Sequence, residues 1–174
     1  IFSTYNLLRI AKLKNIEKFI FASSIYTNSI QGSFYRISKI TCEEIIEEYN
    51  KLYNLKFIII RFGSLFGDLS YKNTINNIIN LGLAGKIIKR EGVGTEIRNY
   101  ISIDDAVKLS SKLLNKKYKN KYYNIVGNEK INFKKIINII KSIIPNLSIE
   151  YSNVVNPHHY IKNPNNKKRK KYQT

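Results

Sequence analysis

The sequence has no methionine, no tryptophan, one cysteine, three prolines and only 12 acidic residues. The single cysteine, Cys42, excludes an internal disulfide framework and a zinc site built from cysteines alone. The two histidines, His158 and His159, are adjacent in a polar stretch with no carboxylate or thiol close in sequence, so they read as surface residues and no metal site is expected. No apolar run approaches the roughly 18 residues that a membrane span needs. A reducing, cytoplasmic setting is the expectation. Because methionine is missing even at position 1, the chain is expected to be a fragment of a longer protein. What is there is ordinary for a globular chain: 174 residues, 43% hydrophobic and 24% charged, enough to bury one core.

Charge of one sign dominates, with 30 Lys and Arg against 12 Asp and Glu, a net charge of +18. Such an imbalance can mark a polyanionic partner. The distribution points elsewhere. The chain holds 31 Ile, 24 Lys and 22 Asn, a global bias of the kind an AT-rich coding sequence produces, and its lysines run along the whole length. A binding face needs no such dispersion. Lys162, Lys167, Lys168, Arg169, Lys170 and Lys171 alone form a dense basic block. Residues 162–174 therefore read as a basic, polar, disordered tail beyond a domain of residues 1–161. A nucleic-acid partner is not expected; a non-catalytic remnant, or a basic module that holds an anionic polymer, stands as the alternative function.

Periodicity gives the organisation. Thr4, Leu7, Leu8 and Ala11 set the i, i+3, i+4, i+7 spacing of an amphipathic helix reaching Leu13. KFIFAS at 18–23 predicts a buried strand, and Ser33 a cap for a helix running to about Tyr53. KFIIIR at 56–61 is a second buried strand. Thr74–Leu83 reads as a helix, Ile97–Ile103 as a strand ending at Asp104, which caps a helix through Leu114, and Tyr122–Val126 as a further strand. Phe133, Ile136, Ile137, Ile140 and Ile144 mark a last helix, stopped by Pro145. Continuous apolar strands between helices imply an α/β fold, with parallel strands and helices on both faces. No G-x-G-x-x-G turn is present; Gly92 and Gly94 do not follow a buried strand and open a helix.

Chemistry enters with Tyr35 and Lys39, a Y-x-x-x-K pair. Roughly two such pairs arise by chance in a chain this rich in Tyr and Lys, so spacing alone is weak. Position adds to it. Residues i and i+4 lie about 40° apart on one helical face. That face continues through Cys42, read as a packing residue, to Ile46, and its helix follows a strand ending in Ser23-Ser24. Carboxyl ends of parallel strands are where ligands bind. There a serine hydroxyl, a phenol and an ammonium could converge. The ammonium would favour the phenolate, and the hydroxyl would hydrogen-bond the substrate oxygen whose proton the phenol moves. The plainer alternative is a solvated helix face and a serine pair that caps a strand.

IFSTYNLLRIAKLKNIEKFIFASS followed by YRISK resembles the middle of the extended short-chain dehydrogenase/reductase family, the NAD-dependent nucleotide-sugar epimerases and dehydratases. Thr4, Asn6, Leu7, Leu8 and Ala11 match its v-x-G-T-x-N-L-L-x-A-A helix, with Ser3 in place of Gly. IIIRFGSLFGD is similar to R-x-x-N-V-Y-G-P at Arg61 and Gly67, with Ser64, Phe66 and Asp68 as departures. GVGTEIRNYISIDDAV matches a further motif at Gly92, Gly94, Arg98, Tyr100, Asp104 and Asp105, and the likeness runs in order to about residue 145. The resemblance implies the second half of a Rossmann-type parallel sheet with a small mixed C-terminal substrate-binding portion. It implies Tyr35 as catalytic acid/base, Lys39 as the residue that supports it and holds the cofactor ribose, and Ser24 as the catalytic hydroxyl, with Ser23 as the alternative serine. It implies Arg98 on the diphosphate of a nucleotide-sugar, Ser64 in the substrate region, and NAD or NADP as cofactor. Arg61 and Asp104 read as structural. A homodimer through the helices that follow Thr4 and Ser33 is implied in the same way. The family's Gly-rich phosphate turn falls upstream of Ile1, so these 174 residues alone are expected not to bind dinucleotide tightly.

Overall fold

The computed structural model describes residues 1–29, 32–68 and 73–152. Its centre is a parallel sheet in the order β1-β2-β6, formed by Lys18–Ser24, Lys56–Phe62 and Lys121–Ile125. Lys18 pairs with Lys56 at the start of one ladder, and Ile58 with Lys121 at the start of the next. Strand β2 explains why its sequence shows no alternation. Phe57 and Ile59 face α1 (Phe2–Leu13) and α2 (Ser33–Tyr53), where Leu8, Ala11, Ile46 and Leu55 are buried. Ile58 and Ile60 face the other way, onto Ala106 and Leu113 at α4 (Ile103–Lys112). Both sides of the strand are dry, so every residue in between is apolar. Strand β1 departs from the sequence expectation. It is the sheet's outer strand and pairs with β2 alone among the described residues, so Ile20 and Ala22 stand exposed where a buried strand was expected.

A second, smaller portion follows. Strand β3 (Ser64–Phe66) runs parallel to β5 (Ile97–Ser102), and β7 (Lys130–Asn132) pairs antiparallel with β5, giving a mixed sheet. Strand β4 (Ile88–Glu91) pairs with β8 (Ile149–Ser152). Helices α3 (Thr74–Leu83) and α5 (Phe133–Ile143) close a core of Ile78, Ile88, Phe133, Ile137 and Leu147. Two glycines bring the portions together. A Cβ on Gly63 would sit 2.4 Å from the Asn99 carbonyl oxygen, and one on Gly127 would sit 1.9 Å from that of Tyr100. Strand β5 crosses the ends of β2 and β6 at distances that no side chain fits.

Two caps differ from expectation. Helix α2 is preceded by Gly32, and no side chain caps it, whereas Ser33 was expected to. Helix α4 is capped by Ser102, whose Oγ accepts from Asp105 N at 3.1 Å. Asp104, the expected cap, lies two residues too late for that role; with Asp105 it places negative charge in the first turn, where the helix dipole favours it. Asn73 and Asn132 cap α3 and α5, so the asparagine bias supplies helix starts. His158, His159, the domain limit at 161 and the tail 162–174 lie outside the described residues.

Candidate active site

Helix α2 starts beside the carboxyl end of β1, and its first turns carry Tyr35 and Lys39 on one face. Lys39 Nζ donates to the Ala22 carbonyl at 2.9 Å, two residues before Ser24. The same ammonium lies 4.9 Å from the centre of the Phe21 ring and 5.8 Å from that of Tyr35. Tyr35 is 54% exposed, with its ring edge-on to Tyr26 at 6.2 Å. Tyr26 belongs to a single 3-10 turn, Ile25–Asn28, that leaves β1 directly. Ser24 is buried, and its Oγ accepts from Tyr26 N at 3.3 Å. The phenol and the ammonium thus share the end of β1, and Ser24 reaches them through the turn that holds Tyr26.

The two serines part ways. Ser23 Oγ donates to Glu43 Oε1 at 2.5 Å. Glu43 is 1% exposed and is gripped by Arg61 through two bonds, Nε to Oε1 at 3.0 Å and Nη2 to Oε2 at 2.6 Å. Arg61 Nη1 also donates to Asn28 Oδ1 at 2.8 Å, and its guanidinium lies 4.4 Å from the Tyr122 ring centre. A carboxylate that deep in the protein requires such a bidentate partner. Arg61 is therefore structural, as its sequence position suggested, and Ser23 is committed to the same network. Tyr122 extends it, its hydroxyl donating to Glu47 Oε1 at 2.7 Å. Burial pushes the Tyr122 phenol far up, and the bond to Glu47 adds to the shift.

Arg98 and Ser64 belong to the other portion. Ser64 opens β3, in register with Tyr100 of β5. Arg98 is half-buried, and its Nε is shielded from water without a hydrogen-bond partner among the described residues. Arg90 is similar at Nε, although its Nη2 pairs with Glu96 and its guanidinium sits 3.7 Å from the Phe133 ring centre. Guanidinium N–H groups left unpaired under cover are costly, and an anion would satisfy them. Burial pushes the Tyr100 phenol up; Arg98 and Arg90 oppose this, while Glu96 and Tyr26 add to it. The fields of Arg98 and of the Tyr26 turn thus meet at one residue. No hydrogen bond or ring contact among the described residues joins Arg98 or Ser64 to Tyr35, Lys39 or Ser24.

Sequence reasoning missed Tyr26, Glu43 and Arg90. Glu43 was the most accessible of these, because an acid four residues beyond Lys39 continues the face that faces the sheet. Tyr26 sits in a turn, where periodicity carries no signal. Cys42 is buried with Sγ 3.4 Å from Thr4 Oγ1, between α1 and α2, in the packing role expected of it. An apolar hollow of about 330 Å³ lies on the α4 side of the sheet, against Ile20, Ile60, Phe62, Val107 and Leu114, and holds none of the candidate residues. Among the described residues, no cluster of His, Cys, Asp and Glu is arranged to hold a metal, and no helix is long and apolar enough to cross a membrane.

Comparison with known proteins gives a consistent result. The model of the NAD dependent epimerase/dehydratase family matches residues 1–126. The chain is 32% identical over 168 residues to a dTDP-D-glucose 4,6-dehydratase of Dictyostelium discoideum, covering 80% of this chain and 39% of that protein. It is 25% identical over 162 residues to a putative UDP-glucose 4-epimerase of Methanocaldococcus jannaschii, covering 81% of this chain and 52% of the relative. The fold is shared with the crystal structure of dTDP-glucose 4,6-dehydratase from Bacillus anthracis in complex with NAD, at a TM-score of 0.82, 23% identity, and coverage of 92% of this chain and 57% of that one. The chain spans about half the length of the relatives it matches.

Proposed function

The chain belongs to the NAD dependent epimerase/dehydratase family, and from that premise we propose that it serves, within its full-length protein, in hydride exchange between a sugar carbon of a nucleotide sugar and NAD or NADP. The reaction is that of an epimerase, dehydratase or reductase. The reading rests above all on Lys39: its ammonium lies over the Tyr35 ring at the carboxyl end of β1, on the strand that closes with Ser24.

The residues suit the cofactor's ribose. Lys39 uses one N–H on the Ala22 carbonyl and keeps two donors for hydroxyls. Tyr35 and Lys39 would hold that ribose. When bound, the nicotinamide accepts and returns the hydride. Tyr35 takes the proton of the sugar hydroxyl as that carbon is oxidised and gives it back on reduction, with the Lys39 charge supporting the transfer. Ser24 hydrogen-bonds the same sugar oxygen. Arg98 meets the diphosphate with the N–H that is otherwise unpaired, and Ser64 lines the substrate region. A homodimer through α1 and α2 belongs to the same proposal, supported by Phe2, Leu13, Ile37 and Leu52, which stand exposed on those helices.

The test is turnover of dTDP-glucose and UDP-glucose, with NAD, by the full-length protein. Tyr35→Phe is expected to lower the rate by about a hundredfold or more with the fold intact. Turnover by Tyr35→Phe at the parent rate would overturn the assignment.

A further inference from the structure

We propose that Tyr26 is a positioning residue for Tyr35: it biases the phenol toward one rotamer, from a turn that the Glu43–Arg61–Asn28 chain anchors. The observations are independent of any motif. The turn Ile25–Asn28 is tied down on every side. Ser24 Oγ accepts from Tyr26 N at 3.3 Å, and Thr27 Oγ1 donates to the Ser24 carbonyl at 2.8 Å, fixing the turn to β1. Arg61 Nη1 bonds Asn28 Oδ1 at 2.8 Å while two further bonds lock Arg61 to Glu43 on α2. Arg36 Nε of α2 donates to the Ser29 carbonyl. These bonds fix the backbone of the turn, and with it the point from which the Tyr26 ring projects.

Tyr35 has more. It stands on the first turn of α2, 54% exposed, where an unpacked helical side chain samples two χ1 wells. The Tyr26 ring meets it edge-on at 6.2 Å and 87°. An edge contact of this kind favours the well that makes it by roughly two- to twelvefold. The helix start is shaped around the same ring. A Cβ on Gly32 would lie 3.3 Å from Tyr26 Cδ1 and 2.9 Å from Arg36 Cβ, and Gly32 has φ +123°, a conformation that side-chain-bearing residues avoid. Backbone, glycine and ring therefore agree on one arrangement of Tyr26 against Tyr35.

The rotamer claim stands on geometry alone; its catalytic consequence deepens, and rests on, the reading of Tyr35 as acid/base. The test uses the full-length protein with ¹³C-labelled tyrosine. The χ1 state of Tyr35 is read from three-bond couplings in the parent, Tyr26→Phe and Tyr26→Leu, and dTDP-glucose turnover is measured beside it. The parent and Tyr26→Phe should share one favoured rotamer at the same population. Tyr26→Leu should shift the ratio of the two χ1 wells toward the other by roughly two- to twelvefold, with kcat falling in proportion to the lost population and KM within about twofold. A Tyr35 rotamer ratio in Tyr26→Leu equal to the parent's overturns the proposal. So does a shifted ratio in Tyr26→Phe, which decides the matter if the leucine variant fails to fold. Full activity in Tyr35→Phe would remove the catalytic reading instead, and would leave the rotamer result standing.

Discussion

Tyr122 shows how a residue's surroundings set its chemistry. Its hydroxyl donates to Glu47, and burial holds it in the neutral form. In the unfolded chain the same phenol titrates near pH 10. A group whose folded value is raised contributes stability that is intact below the unfolded value and is lost as pH rises beyond it. The expected outcome is that Tyr122→Phe is less stable than the parent by about 1 kcal/mol at neutral pH, for the lost hydrogen bond. The gap should shrink above about pH 10, where only the parent loses this contribution. Urea unfolding of both proteins across that range checks it, and a gap that does not change with pH contradicts it. At this scale the sequence was partly legible. Tyr35 and Lys39 share a face because helical spacing demands it, and Arg61 was separable as structural. Whether Ser23 or Ser24 is free could not be read, because the answer lies in Glu43, 20 residues away from Ser23. Tyr26 was invisible for the same reason: its importance is a ring contact across a turn.

Elements are joined by polar ties as much as by apolar faces. Lys18, the first residue of β1, reaches the end of α4, where its Nζ lies 3.1 Å from the Leu113 and Leu114 carbonyls, 3.0 Å from that of Asn115 and 3.4 Å from that of Tyr118. Those carbonyls belong to the turn that follows the last helical residue, Lys112, and a cation there also meets the negative end of the helix dipole. Lys18→Met is expected to cost about 1–3 kcal/mol and to speed amide exchange over residues 113–118 first; uniform exchange along the chain would show that the tie is not local. The long elements were legible because a two-sided buried strand and an amphipathic helix each write their environment into the sequence. The short ones were not. KRE in β4, KIN in β7 and IEYS in β8 are mostly polar and owe their shape to partners far along the chain. Strand β1 reads as buried because its middle, Phe19 to Ala22, is apolar throughout, although one of its faces is open among the described residues.

The excess of positive charge is carried mainly by lysine. Lys51–Glu48, Lys116–Glu17 and Lys135–Glu129 are exposed pairs, of the kind that contribute almost nothing to stability. Among the described residues Arg61–Glu43 and Arg90–Glu96 are the shielded pairs, and the first also binds Ser23 through Glu43. The shielded ion pairs described are thus arginine pairs, while the exposed ones are lysine pairs. Gly63 and Gly127 set the larger geometry, letting β5 bring Asn99 and Tyr100, next to Arg98 in the chain, over the ends of β2 and β6. In the proposed function these two portions close on one ligand, with Tyr35 and Lys39 on one side and Arg98 on the other. A crystal structure of the full-length protein with NAD and dTDP-glucose measures this directly. The expected result is Lys39 Nζ on a ribose hydroxyl, Tyr35 Oη within about 2.6–3.2 Å of a sugar hydroxyl, and the diphosphate on Arg98. Dinucleotide and sugar bound elsewhere, with no ligand hydroxyl on Lys39 and Tyr35 facing water, would contradict it.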